Sequence, residues 1–151
     1  EDDDVATIAR LIELEHRAAI AYRTMAGDED QLDEAVRVPV EEFARQESEH
    51  AEALIAALED RGGTAPGEPR AADVEGLEEL DSQSDALELA IDLENALVRA
   101  YGDAAESFEA FELLKTCAQI LGNEGQHLVV ARQQLGEDPV PEAFETGETT
   151  A

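Results

Sequence analysis

Glu47-Ser48-Glu49-His50 and Glu124-Gly125-Gln126-His127 are two Glu-x-x-His steps in a chain that has three histidines in all. A spacing of three sets a carboxylate and an imidazole side by side on one helix face. Together they offer hard oxygen and borderline nitrogen donors, a mix that suits iron, manganese or zinc. Glu15 and Glu94 extend the pattern. Each is followed seven residues later by one of the two tyrosines, Tyr22 and Tyr101. The intervals Glu15 to Glu47 and Glu94 to Glu124 have their midpoints at residues 31 and 109, where turns are expected. Residues equidistant from the turn of an antiparallel hairpin lie at one height, so the four carboxylates should meet at one level. One Glu-x-x-His step is weak evidence in a chain this rich in Glu; the matched pairs and spacings are stronger. Four ionised carboxylates in an apolar core would cost many kcal/mol if left unpaired. Two divalent cations would balance four Glu with two neutral His.

Four helices must carry these residues. Apolar residues recur three or four apart in stripes through Ile8, Leu11 and Ala19, through Phe43, Leu54 and Leu58, through Leu87, Ala90 and Leu97, and through Leu113, Ile120 and Leu128. The six Glu and His residues interrupt these stripes at the stripes' own period, so they should face the core. Ala and Leu dominate the apolar set, which favours helix over strand. The punctuation predicts helices at about 4–26, 39–61, 84–106 and 109–135, with Pro39 near the start of the second, Ser82 or Ser84 capping the third and Gly136 stopping the fourth. The expected architecture is all-α: a four-helix bundle over 1–136, built of two antiparallel hairpins joined by a long crossover at 62–83, with an acidic, Pro-containing tail at 137–151. The crossover is expected on the bundle surface.

The formal net charge of −28, from 38 acidic and 10 basic residues, argues against nucleic acid and anionic membrane surfaces as partners. A solvated surface accounts for most of this acid; a salt-rich habitat and a cation-attracting field are further readings. Cys117 is the one cysteine, which rules out an intrachain disulfide. No apolar run is long enough to span a bilayer, so membrane insertion is not expected. The sequence begins at Glu1 rather than Met, so a targeting segment could have preceded it.

The segments IELEHRAAIAY (12–22), QESEH (46–50), LENALVRAY (93–101) and GNEGQH (122–127) resemble the ferritin-like di-iron carboxylate proteins: ferritins, bacterioferritins, rubrerythrins and their stand-alone bacterial relatives. The resemblance covers about 5–135. It implies two iron ions, with manganese or zinc as alternatives, held by Glu15, Glu47, His50, Glu94, Glu124 and His127. By position Glu15 and Glu94 look like terminal ligands, Glu47 and Glu124 like the bridging pair, and each His like a ligand to one metal. Tyr22 and Tyr101 resemble tyrosines that hydrogen-bond to carboxylates across such a site. No Cys-x-x-Cys pairs occur, so no rubredoxin-like module is expected. No fifth helix is expected either, which argues against a storage cage; a smaller homo-oligomer is compatible. Export or the cell envelope is the expected compartment, with the cytoplasm as the alternative.

The activity implied is oxidation of ferrous iron by dioxygen or hydrogen peroxide. The alternative is a non-catalytic, metal-stabilised structural or stress-associated protein. Other residues have plainer expectations. His16 sits a quarter turn off its stripe and is read as interhelical or solvated. Glu13 and Glu49 are read as solvated, and Cys117 as a small buried hydrophobe. Without metal, all four site glutamates should have raised pKa values.

Overall fold

The computed structural model describes residues 2–28 and 30–148. Helix α1 spans Asp2–Gly27, α2 Glu34–Glu59, α3 Gln83–Ser107 and α4 Phe111–Leu135. No strand occurs among the described residues. Helix α1 packs chiefly on α2 and α3 chiefly on α4, while α1 and α3 join the two hairpins and α2 and α4 touch more sparsely. The all-α bundle of two hairpins is thus present.

The apolar stripes explain this assembly. Ile8, Leu11, Ile12, Leu54, Leu58, Leu97 and Leu128 are all at most 1% exposed and form one continuous core. Burying a side chain of this size is worth about 1.5–3 kcal/mol. Ala18, Ala21, Ala90 and Ala131 are buried among these larger residues.

Helix α2 begins at Glu34, five residues before the expected 39, and Pro39 lies inside it. Proline has no N–H to give the carbonyl four residues back. That carbonyl belongs to Ala35, and the Gln134 side-chain amide donates to it at 3.3 Å. A long-range hydrogen bond so replaces the intrahelical one, and the helix runs through its proline. The remaining ends follow local chemistry. The Ser82 hydroxyl accepts from the Asp85 N–H at 3.2 Å and caps α3. Gly136 takes a left-handed φ of 84° after α4, and the Glu137 N–H turns back to the Arg132 carbonyl at 2.9 Å.

The crossover carries two single-turn 3-10 helices, Ala71–Asp73 and Leu77–Glu79. It is not simply a surface strap, because Val74 and Leu77 are buried in the main core. The Gln31 side chain donates to the Leu80 carbonyl at 3.1 Å, and the Asp33 N–H donates to the Gln83 side chain at 2.8 Å. These bonds tie the end of the crossover to the α1–α2 turn.

The tail after Gly136 also docks. Arg132, 7% exposed, pairs with Glu145 at 2.7 Å, and Arg99 donates to the Gly147 carbonyl. Gly147 has φ 70° and lies against the Asn95 carbonyl, where a Cβ would not fit. Phe144, by contrast, is 83% exposed.

Candidate metal centre

Glu15, Glu47, Glu94 and Glu124 are all 0% exposed, and His127 is 1% exposed. Each comes from the polar interruption in its own helix stripe. Two overlapping groups form. In the first, ligand-type atoms of Glu15, Glu47, His50 and Glu124 all lie within 4.8 Å of one another. In the second, those of Glu47, Glu94, Glu124 and His127 do the same. Glu47 and Glu124 belong to both groups, Glu15 and His50 only to the first, Glu94 and His127 only to the second.

The imidazoles aim one nitrogen at several carboxylates at once. Nδ1 of His50 is 3.1 Å from Glu124, 3.2 Å from Glu47 and 3.4 Å from Glu15. Nδ1 of His127 is 2.9 Å from Glu47, 3.2 Å from Glu124 and 3.3 Å from Glu94. A ring nitrogen carries at most one proton, so it satisfies at most one of these oxygens. The shortfall is visible. Buried oxygens of Glu15, Glu47 and Glu94, and both oxygens of Glu124, have no properly aligned hydrogen-bond partner. Unpaired carboxylate oxygens in an apolar core are costly. A cation between them satisfies several at once, so the donor set fits metal ions.

The protonation pattern has the same origin. Burial, with the neighbouring negative charges, raises Glu15 and Glu94 well above the ordinary carboxylate range. Burial would raise Glu47 as well, but hydrogen bonds from His127, His50 and Glu15 hold it down at about 2. This departs from the expectation of a uniform rise, because the histidines keep their protons and donate hydrogen bonds that favour the ionised form of Glu47. Burial opposes charge on the imidazoles, yet the surrounding carboxylates push both His50 and His127 up to about 12.

The tyrosines cross the bundle. Tyr22 on α1 donates to Glu94 on α3, and Tyr101 on α3 donates to Glu15 on α1. Burial raises both phenols well above their usual range, so they stay donors. Tyr22 also meets the Phe43 ring edge-on at 5.6 Å.

Of the two places expected for His16, interhelical or solvated, the first holds: it is 7% exposed, its Nδ1 has no partner among the described residues, and it lies outside both groups. Its place just off the stripe leaves it buried by packing without reaching the cluster. Glu13 and Glu49 are exposed and Cys117 is buried. The sequence reading missed Gln46, whose side-chain oxygen lies 2.6 Å from Nε2 of His127. Its only signal was its place directly before Glu47.

A profile of the family described as ferritin-like domain matches residues 3–137. The chain belongs to the ferritin-like domain family. The ferritin-like domain is also similar in fold to a crystal structure of a conserved hypothetical protein from Mycobacterium tuberculosis. The TM-score is 0.78 at 23% identity, over 93% of this chain and 96% of that one. No functionally curated protein matches the chain in sequence. No helix among the described residues of the ferritin-like domain is long and apolar enough to cross a membrane.

Proposed function

We propose that this ferritin-like domain binds two ferrous ions side by side and oxidises them with dioxygen or hydrogen peroxide. The observation that carries the reading is the sharing of Glu47 and Glu124 between two otherwise separate ligand groups. Glu15 and His50 would complete one position, Glu94 and His127 the other. Two ferrous ions held there would supply one electron each; with two protons these would reduce hydrogen peroxide to two waters, or dioxygen to hydrogen peroxide. The chain's own residues handle the charge. Glu15 and Glu94 release their protons as cations arrive, and the imidazoles release theirs from Nδ1. The tyrosines keep hydrogen bonds on the two unshared carboxylates throughout and hold them in place.

The complete burial of all four carboxylates favours a second reading, in which the metal holds the helices together and does no redox chemistry. Manganese or zinc would serve that role equally well. One experiment separates the two. Ferrous iron is added to metal-free protein in air, and the near-ultraviolet absorption of a coupled ferric pair is followed. Rapid oxidation of two irons per chain supports the first reading. Binding of two ions without accelerated oxidation supports the second, and no binding overturns both.

A further inference from the structure

Resting on that di-metal reading, we infer that the two metal positions are inequivalent, with the His127 position the tighter, because Gln46 fixes the His127 imidazole and nothing fixes His50 in the same way. The Gln46 side-chain oxygen faces His127 Nε2 at 2.6 Å. Its NH2 group donates to Glu42 at 3.0 Å, and Arg45 holds Glu42 in turn at 3.1 Å. An ionised carboxylate only accepts, so Glu42 sets which way the Gln46 amide points. The amide oxygen must then face the imidazole, and Nε2 must carry the hydrogen. That leaves Nδ1, which already faces Glu47, Glu94 and Glu124, as the nitrogen free to bind metal. The Phe43 ring lies over the imidazole with centroids 4.1 Å apart and restrains its plane.

His50 lacks this support. Its Nδ1 faces Glu15, Glu47 and Glu124, but no residue among those described hydrogen-bonds to its Nε2, and its side chain is 13% exposed. The internal repeat shows why. Gln46 directly precedes Glu47, and its counterpart directly before Glu124 is Asn123, one methylene shorter. Asn123 lines the same groove between α2 and α4 as Gln46, yet its side chain makes no hydrogen bond among the described residues. Phe43, four residues before Glu47, has Ile120 as its counterpart, which offers no ring to stack. Gln46 is therefore a positioning residue for one half of the centre only.

Zinc tests this without redox chemistry. Metal-free protein is titrated with zinc by calorimetry against a competing chelator. Two steps are expected, the first at least about 10-fold tighter than the second. Gln46→Leu should weaken the tight step about 10- to 100-fold, the usual effect of removing an outer partner of a metal-bound His. Gln46→Glu, which still accepts from Nε2–H, should retain it. Nitrogen NMR of the one-zinc form should show His127 bound through Nδ1 and His50 still unbound, a preference that Gln46→Leu should remove. Asn123→Gln should tighten the weaker step. Two zinc ions of equal affinity, or equal weakening of both steps by Gln46→Leu, would overturn this inference and leave the di-metal reading standing. If no zinc binds, both fall. If Gln46→Leu does not fold, Asn123→Gln decides: an unchanged weak step overturns the inference.

Discussion

Tyr101 on the third helix hydrogen-bonds to Glu15 on the first, and the mirror bond from Tyr22 to Glu94 runs the other way across the bundle. Each phenol thus joins the two hairpins and holds a carboxylate that belongs to one ligand group only. Tyr101→Phe leaves an oxygen of Glu15 without its donor in a fully buried site. The expected cost in the metal-free protein is about 1–3 kcal/mol, read by denaturant unfolding. Two metals per chain should still bind. Loss of both metals in Tyr101→Phe would mean that the phenol is needed to assemble the cluster.

Shared and unshared carboxylates should differ in metal analysis. Glu47→Ala and Glu124→Ala are expected to lose both ions, because each residue serves both groups. Glu15→Ala and Glu94→Ala should each retain one ion. His16→Ala should keep two, since His16 is buried but belongs to neither group. If His16→Ala empties the site and Glu47→Ala does not, the ligand assignment is wrong.

The metal-free protein should lose stability as pH rises above about 5. Glu15 and Glu94 have folded pKa values raised above the ordinary 4.5. Their contribution is complete below 4.5 and fades as pH climbs through the folded values. The histidines are raised from 6.5 to about 12, so theirs is complete below 6.5 and fades across that interval. Glu47 acts oppositely, but only between 4.5 and about 2. The expected result in high salt, which screens the −28 surface charge, is a lower melting temperature at pH 8 than at pH 5. Metal should close most of that gap and Glu94→Gln should narrow it. Equal melting at both pH values, unchanged by the substitution, would contradict convergence of the glutamates.

Removing residues 137–151 should leave the metal content at two but weaken the fold. The deletion strips the buried Arg132 of Glu145. The expected loss is about 1–3 kcal/mol, less than for a fully buried pair because Glu145 is 34% exposed. Gly147→Ala should reproduce part of it, since a Cβ there meets the Asn95 carbonyl. Wild-type stability in both variants would show that the docked tail contributes nothing.

Helix period and polar interruptions made the bundle, and the convergence of Glu15, Glu47, His50, Glu94, Glu124 and His127, legible before any coordinates. Both follow from spacing within single helices and from hairpin symmetry. What stayed hidden depends on contacts between distant segments. Pro39 reads as a helix start until Gln134 is seen serving the Ala35 carbonyl. Gln46 carries no pattern of its own and gains a role only once His127 is placed beside it. The docking of the tail is not legible because Arg132 and Glu145 carry no local pattern that pairs them.

Each ligand group draws three residues from one hairpin and one from the other: Glu15, Glu47 and His50 with Glu124, and Glu94, Glu124 and His127 with Glu47. Neither hairpin alone can assemble a complete group. In a chain with a single cysteine, a bound ion therefore acts as a removable cross-link between two halves that the backbone joins only through the crossover. Protein nicked between residues 62 and 70 should need more denaturant to separate into its two halves while metal is bound than under a chelator. The centre would then report whether the two halves have found each other.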